Sequence, residues 1–192
     1  DASRELVAGA LRSDPRAAVK AAADYGIKGY SSYLALLDAC QSGKEPLDYV
    51  TIVTPNFAHY GPAKAFLEAG IPVLCEKPMT MTVEEAQDLA RIVRRKKIPF
   101  VLAHTYTGHP MLMMARELVR QDDLGEVRKV EAWYNQGWLA TALEKTGQQQ
   151  ASWRTDPKKA GGSGCGGDIG THALMQLRYV TGLEVDELSA NL

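Results

Sequence analysis

The chain has little of what marks a disulfide-stapled, metal-binding or membrane-spanning protein. Its 192 residues contain only three cysteines, which are far apart and never form a C-x-x-C pair. Such a scattered, odd-numbered set argues against a disulfide framework and a zinc site, and it fits a reducing compartment. No apolar run approaches the length that crosses a bilayer, and no secretory signal is recognisable. These absences predict a cytoplasmic protein with no metal site and no membrane partner.

An excess of charge of one sign is missing as well. The chain has 22 basic and 23 acidic residues, and its formal net charge is −1, whereas nucleic-acid-binding proteins usually show a basic bias. An apolar content of 45% with 23% charged residues is typical of an ordinary globular protein, and the length suffices for one large domain or two small ones. We therefore expect no nucleic-acid partner.

What the first half does contain is an alternation of short apolar runs and helical patterns. Strands are predicted at residues 6–11, 49–53, 71–75 and 99–103. Helices are predicted after Asp14-Pro15, after Ser31-Ser32, over residues 58–69, and after the capping box formed by Thr82 and Glu85. This order predicts an α/β fold built on a doubly wound parallel sheet with helices on both faces.

The pattern changes after residue 108. Met111, Met114, Ala115 and Leu118 recur at helical spacing, and a methionine stripe of this kind is more often core than cofactor contact. We interpret it as the buried side of a helix that ends at Gly125. The domain boundary is placed near residue 106.

A second type of sheet is predicted downstream of this helix. Residues 126–134 alternate polar and apolar side chains, which predicts a strand of an antiparallel sheet with one face in water. The polar residues 141–150 are predicted to form a surface loop. A further helix is predicted to start near Asp168.

The sequence Glu76-Lys77-Pro78 follows a predicted buried strand directly. It therefore lies at the strand's carboxyl end, where open α/β sheets bind ligands. Pro78 restricts the backbone of Lys77 and so helps to aim the ammonium group. The alternative is that Glu76 and Lys77 form an ordinary solvated pair in a loop.

A carboxylate and an imidazole follow downstream. Asp168 and His172 are four residues apart, which places both side chains on one face of a helix. They are the partners that a catalytic lysine would need. The alternatives are a helix N-cap for Asp168 and a packed core histidine for His172.

Three sequence segments resemble the Gfo/Idh/MocA oxidoreductases, the family of glucose–fructose oxidoreductase and inositol dehydrogenase. They are T-P-N-F-A-H at 54–59, A-G-I-P-V-L-C-E-K-P at 69–78 and G-D-I-G-T-H at 167–172. None is decisive alone, but their order and intervals fit the family over nearly the whole chain. The resemblance implies a Rossmann-type dinucleotide-binding domain, an α+β domain with an open-faced antiparallel sheet, and an active site between them. It also implies NAD or NADP and a sugar, cyclitol or related polyol as substrate.

The sequence departs from that family in one respect. A dinucleotide-binding domain should open with a strand, a G-x-G-x-x-G turn and a helix that holds the pyrophosphate. No such unit is found, because the glycine-rich run 161–167 lies far downstream and follows no clear strand.

We therefore expect residues 1–106 to form a Rossmann domain that lacks its first βα unit. Residues 107–192 are expected to form an incomplete substrate and oligomerisation domain. The start at Asp1-Ala2-Ser3, without an initiator methionine, adds to the expectation of an internal fragment. The full-length enzyme is expected to be a homo-oligomer, and the fragment to bind cofactor poorly.

The resemblance also assigns catalytic roles. His172 is implied to accept the hydroxyl proton, Lys77 to hold the reacting oxygen, and Asp168 to orient the histidine or bind a substrate hydroxyl. The implied activity is an NAD(P)-dependent oxidoreductase acting on CH–OH groups. Two alternatives stay open: a dinucleotide-binding, sugar-sensing regulatory protein, and an NAD-dependent enzyme that cleaves glycosides.

Cofactor contacts are predicted after two strands. Thr54, Pro55 and Asn56 follow one strand, and Asn56 is interpreted as a cofactor contact that also serves as a turn residue. His59 is interpreted as either a cofactor neighbour or a packed side chain. Glu76 is predicted to contact the cofactor together with Lys77.

Arg12 and Ser13 stand where a dinucleotide fold usually presents an acid to the adenine ribose. An arginine there favours the 2′-phosphate of NADP over NAD. Asp14 offers an acid for NAD, although Pro15 after it indicates a helix cap.

Substrate contacts are predicted at the end of a strand, and the resemblance implies further ones, close to the nicotinamide or substrate, just before the glycine run. They are His104, Tyr106, Trp153 and Arg154. Structural packing is an equal alternative for each of them.

Overall fold

The computed structural model describes residues 4–191. Residues 1–3, where the sequence begins without methionine, and Leu192 lie outside this range. The chain divides into two compact units. Unit 1 comprises the chain up to Thr54 together with Ala58–Cys75 and Val83–Val101, and unit 2 comprises Pro55–Phe57, Glu76–Thr82 and the chain from Leu102 onward. No helix among residues 4–191 is long and apolar enough to cross a bilayer.

Unit 1 contains parallel strands alternating with helices, as predicted. The strands are β1 (Ala8–Gly9), β2 (Lys28–Gly29), β3 (Val50–Ile52), β4 (Val73–Glu76) and β5 (Phe100–Ala103), the last residues of β4 and β5 belonging to unit 2. The helices are α1 (Pro15–Ala23), α2 (Tyr33–Gln41), α3 (Tyr60–Glu68) and α4 (Val83–Lys96). β1 pairs in parallel with β2, and β3 with β4, which lies between β3 and β5. The prediction of a Rossmann-like fold with parallel strands is confirmed.

The helix starts of unit 1 follow from local side-chain chemistry. The carboxylate of Asp14 accepts a hydrogen bond of 2.7 Å from the Ala17 amide, and Pro15 occupies the first position of α1. The hydroxyl of Ser32 accepts one of 3.2 Å from Ala35 at the start of α2. Both side chains satisfy amides that the helix itself leaves unpaired.

Helices α3 and α4 contribute most of the largest fully buried side chains in the core of unit 1. Phe66, Leu67, Leu89 and Ile92 are at most 1% exposed. Burial of such side chains typically contributes about 1.5–3 kcal/mol each. The helical repeat of Ala86, Leu89, Ala90 and Val93 made α4 predictable, and Gly70 marked the end of α3.

Strand β2 was not predicted, and β1 is shorter than expected. A Cβ atom on Gly29 would lie 2.8 Å from the backbone of Val19, so α1 packs directly on this strand. A two-residue strand of lysine and glycine has no apolar alternation to reveal it. The strand predicted over residues 6–11 is regular only at Ala8–Gly9.

Unit 2 is mainly helical. Its α-helices are α5 (Pro110–Arg120), α6 (Gln149–Arg154), α7 (Pro157–Ala160) and α8 (Thr171–Thr181). 3₁₀ turns occur at Asn56–Ala58, whose last residue belongs to unit 1, at Thr105–Gly108 and at Leu143–Thr146, and a π-helical turn at Gly166–Gly170 leads into α8. Helix α5 packs against α8, and α6 against α7.

Four predictions for unit 2 were wrong in detail. Residues 126–134 form neither helix nor strand, because no segment among residues 4–191 supplies a partner for the ladder that a strand requires. Met111 and Met114 are 73% and 56% exposed, so the methionine stripe is not core. Helix α5 ends at Arg120 and not at Gly125, and residues 141–150 include a 3₁₀ turn and the start of α6.

Candidate active site

Unit 2 contains a pocket of about 240 Å³ that gathers the predicted catalytic residues. All of its lining residues belong to unit 2. They are Lys77, Tyr106, Tyr134, Gln136, Trp138, Arg154, Asp168, Ile169 and His172. The structure therefore brings together the lysine, the carboxylate and the imidazole, which are separated by up to 95 residues in the chain.

Lys77 and Asp168 form a close ion pair. The Lys77 ammonium donates hydrogen bonds of 2.7 Å to Oδ1 of Asp168 and of 2.6 Å to the Asp168 backbone carbonyl. Only 11% of the Lys77 side chain and 22% of the Asp168 side chain are exposed. The Lys77 amide donates to the Glu76 carboxylate at 3.2 Å. Lys77 is therefore a held side chain, which contradicts the alternative of a solvated loop pair.

The second oxygen of Asp168 is bound by another cation. Nε of Arg154 donates to Oδ2 at 3.2 Å. Burial favours the neutral acid, but the hydrogen bond from Lys77 and the charges of Lys77 and Arg154 outweigh it, so the pKa of Asp168 lies below its ordinary value. Asp168 is thus a carboxylate with one cation on each oxygen, in a π-helical turn and not at a helix N-cap.

His172 lies one turn further on, in the first turn of α8, and is 9% exposed. The ring centroid of Tyr106 is 4.5 Å away and that of Tyr134 is 6.0 Å away. Burial lowers the pKa of His172, the positive charge of Lys77 lowers it further, and the Asp168 carboxylate opposes the change. The imidazole is therefore neutral at neutral pH and able to accept a proton.

His104 is the other imidazole beside His172. Their ring centroids are 6.2 Å apart, edge to face. Burial lowers the pKa of His104, as does the charge of Lys77, while Glu76 acts in the opposite direction. Nδ1 of His104 is buried without a hydrogen-bond partner among the described residues. His104 therefore packs behind His172 and does not line the pocket.

Four pocket residues were missed from the sequence: Ile169, which follows Asp168 directly, and the three residues Tyr134, Gln136 and Trp138. The last three form a hydrogen-bonded chain in which Trp138 Nε1 donates to Gln136 at 3.0 Å and Gln136 Nε2 donates to the Tyr134 hydroxyl at 3.4 Å. The Tyr134 hydroxyl shares a 2.5 Å hydrogen bond with that of Tyr106. Their spacing of two residues puts them on one side of an extended chain, and this is the signal that could have found them.

Trp153 and Arg154 were both predicted as substrate contacts. Arg154 and Tyr106 line the pocket, whereas Trp153 does not. The Arg154 guanidinium lies over the Trp153 ring, 4.1 Å from its centroid. Trp153 therefore packs against the Arg154 guanidinium and does not line the pocket itself.

The predicted cofactor residues around the end of β3 form hydrogen bonds with other residues of the chain. Asn56 is buried and donates from Nδ2 to the Ala160 carbonyl at 2.9 Å. In unit 1, His59 is 0% exposed and its Nε2 bonds the Thr54 carbonyl at 2.7 Å. The Thr54 hydroxyl donates to the Ala58 carbonyl at 2.9 Å. The packing interpretation of His59 is supported, and the structure gives Asn56 a clear structural role.

The predicted adenosine contacts lie just beyond β1. Arg12 and Ser13 are exposed, while Asp14 is engaged as the N-cap of α1. No glycine turn that could hold a pyrophosphate joins a strand to a helix among residues 4–191.

Two family models match the sequence. The model described as "Oxidoreductase family, NAD-binding Rossmann fold" matches residues 1–104, and the "GFO/IDH/MocA C-terminal domain" matches residues 112–192. Among curated proteins, an uncharacterized oxidoreductase of Bacillus subtilis is 31% identical over 88% of this chain and 44% of its own length. The levoglucosan dehydrogenase of Pseudarthrobacter phenanthrenivorans is 31% identical over 88% of this chain and 41% of its own.

The same relationship is seen among solved structures. An inositol dehydrogenase homolog of Azotobacter vinelandii, complexed with NAD+, superposes with a TM-score of 0.85 at 34% identity, over 93% of this chain and 46% of that one. A levoglucosan dehydrogenase complex with NADH and levoglucosan gives 0.76 at 30% identity, over 88% and 43%. The chain thus spans a little under half the length of these relatives.

Proposed function

Because this chain belongs to the Gfo/Idh/MocA family of oxidoreductases, we propose that it carries the catalytic residues of an NAD(P)-dependent dehydrogenase. The reaction is hydride transfer between a nicotinamide and a secondary alcohol of a sugar, cyclitol or related polyol. The observation that carries the proposal is the Lys77–Asp168 pair at 2.7 Å in a pocket that His172 also lines.

The proposed chemistry assigns one task to each group. His172 is neutral because its pKa is lowered by burial and by Lys77, so it accepts the hydroxyl proton. The Lys77 ammonium donates a hydrogen bond to the same oxygen and stabilises the charge that develops there. Asp168 holds Lys77 in place. As the carbonyl forms, the hydride leaves the carbon, and a bound nicotinamide would supply its acceptor.

The pocket lining supports a small polyhydroxylated substrate. Tyr106, Tyr134 and Gln136 present hydroxyl and amide groups that both donate and accept hydrogen bonds. The Trp138 ring offers a flat apolar surface. The relatives point to the same class, since one structure contains NADH with levoglucosan and another NADH with myo-inositol.

For the cofactor, we retain NAD or NADP, with Arg12 and Ser13 as the proposed contacts for the adenine ribose. Relatives include a structure with NAD+ and an NADP(+)-dependent scyllo-inositol dehydrogenase of Bacillus subtilis. The exposed guanidinium of Arg12 supports NADP, because it can pair with a 2′-phosphate. A homo-oligomeric assembly remains a prediction.

The test is a dehydrogenase screen of the full-length protein with cyclic polyols, including myo-inositol and levoglucosan, against NAD and NADP separately. Reduced cofactor is followed at 340 nm as a function of substrate. We expect Lys77→Met to lower kcat by about 10²–10³-fold, since it removes a donor to the developing charge. His172→Ala should lower kcat by about 10²–10⁴-fold.

A matched control is Lys64→Met, which removes an ammonium from a surface ion pair with Asp88 in unit 1. It should leave kcat unchanged. Wild-type turnover in the Lys77→Met or His172→Ala variant would overturn the proposed mechanism.

Product analysis separates the two alternative functions. Sugar release without net formation of reduced cofactor identifies a glycoside-cleaving enzyme that uses the nicotinamide transiently. Polyol binding without any turnover identifies a sensing protein on the same fold.

A further inference from the structure

We propose that Arg154 is a positioning residue, which holds the Asp168 carboxylate in the orientation that serves Lys77. This inference rests on the proposed function and assigns Arg154 a role other than direct substrate contact. The geometry that carries it is the division of the carboxylate: Oδ1 accepts from Lys77 at 2.7 Å and Oδ2 accepts from Arg154 at 3.2 Å.

Arg154 is itself held on three sides. Its Nη1 donates to the Gln150 side-chain oxygen at 2.5 Å and to the Gln150 backbone carbonyl at 3.3 Å, one turn earlier in α6. Its guanidinium lies 4.1 Å from the centroid of the Trp153 ring and 5.7 Å from that of Trp138. Gln150 also accepts a 3.1 Å hydrogen bond from the Trp153 indole. Contacts within α6 thus fix the Arg154 side chain independently of its hydrogen bond with Asp168.

This arrangement has a mechanical consequence. A carboxylate bound through one oxygen can rotate about its χ2 torsion, which is a soft torsion with broad minima. A second hydrogen bond from a fixed guanidinium removes that freedom. Oδ1 is then always available to the Lys77 ammonium, which in turn is aimed at the reacting oxygen. A misplacement of the catalytic group by about 1 Å can lower the rate on the order of 10²-fold.

Arg154 also affects the charge state of the site. The groups that face Asp168 are Lys77 and Arg154, together with Tyr106 and His172, whose titrations Asp168 influences. Burial alone would push the carboxyl toward its neutral form. Lys77 and Arg154 together keep it ionised, and only an ionised Asp168 offers acceptor oxygens to both cations.

The first readout needs no catalytic activity. The Cγ resonance of Asp168 is followed by ¹³C NMR as a function of pH in the 192-residue chain. In Arg154→Gln we expect a raised pKa of Asp168, because a charge and a hydrogen bond are lost. In Arg154→Lys, which keeps the charge but not the planar fork, the carboxyl should titrate close to wild type.

The second readout separates positioning from charge. Steady-state kinetics should show that both Arg154→Gln and Arg154→Lys lower kcat by about 10- to 100-fold, with little change in KM for the polyol. Gln150→Ala, which leaves Arg154 intact but removes its side-chain anchor, should lower kcat by a smaller factor. Arg178→Gln is the control, since it removes an arginine that pairs with Glu184 away from the pocket.

Each result decides the question. A raised KM with unchanged kcat in Arg154→Gln, and an unchanged Asp168 titration, would show a substrate contact and overturn the proposal. A loss of thermal stability with neither readout affected would show a purely structural role and also overturn it. If no polyol is oxidised by the full-length wild-type protein, the proposed function fails, but the Asp168 titration in the 192-residue chain still tests the role of Arg154.

Discussion

The ion pair between Lys77 and Asp168 is weak evidence for stability, because desolvation opposes its attraction. Both groups are largely withdrawn from water, and desolvation offsets much of the attraction between partly buried charges. Replacing such a pair by apolar residues is often neutral or stabilising in other proteins. Each charged group here has a further hydrogen bond. Arg154 donates to the second oxygen of Asp168, and the Asp168 backbone carbonyl accepts from Lys77.

The titration of His172 gives a prediction at the scale of single residues. Its pKa lies below the ordinary value of 6.5, with burial as the first cause and the charge of Lys77 as the second. Lys77→Met removes the positive charge that disfavours the imidazolium. The Asp168 carboxylate, which favours the imidazolium, stays in place. We therefore expect the variant to titrate at a higher pH than the wild type, as measured from the His172 Cε1 proton by NMR.

The same shift sets the direction of the pH dependence of stability. An imidazole with a depressed pKa in the folded state is protonated first in the unfolded chain, so the unfolding free energy falls as the pH is lowered through the region below 6.5.

Lys64→Met, which removes a charge from unit 1, is the control for the His172 titration in Lys77→Met. An unchanged His172 titration in Lys77→Met would contradict the electrostatic role of the lysine.

At the scale of elements, the sequence revealed those helices and strands whose side chains encode them. Ala86, Leu89, Ala90 and Val93 recur with the helical period and Gly70 marks a helix end, so α4 and α3 were predictable. Residues 126–134 carry the alternation of a strand without a partner, because pairing depends on a second segment and not on the segment's own pattern. Met111 has the helical spacing of a core residue but is exposed on α5. Spacing alone does not show whether another element packs on that face of a helix.

The N-cap of α1 allows a stability prediction for one element. The Asp14 carboxylate accepts the Ala17 amide at 2.7 Å, and Ala in place of such a residue leaves the amide unpaired. We expect Asp14→Ala to lower the free energy of unfolding by about 1 kcal/mol in urea titrations. Asp14→Asn keeps a side-chain acceptor and should be close to neutral. Equal losses in both variants would show that the charge of Asp14, and not its hydrogen bond, is what matters.

At the scale of the molecule, the sequence predicted the class of fold and the three residues that meet in the pocket. Lys77, Asp168 and His172 were found because they lie in recognisable motifs beside turns and caps. Tyr134, Gln136 and Trp138 were not, because their contribution depends on how an irregular segment returns to His172, and no local periodicity encodes such a path. Arg154 was assigned to the substrate from the family resemblance, whereas its contact with Asp168 is visible only in the structure.

The position of the pocket in the chain leads to a last prediction. Every residue that lines it belongs to unit 2, so polyol binding should not require the dinucleotide. We expect a saturating cyclic polyol to slow amide hydrogen exchange in the π-helical turn Gly166–Gly170 and in α8, because a ligand that binds only the folded state stabilises it by RT ln(1 + [L]/Kd). At a concentration of about 100 Kd that amounts to roughly 2.7 kcal/mol. Exchange in α3 and α4 of unit 1 serves as the internal reference and should change little. Protection that develops only when NAD or NADP is also present would contradict the assignment of the polyol site to unit 2 alone, because the site would then depend on the bound cofactor.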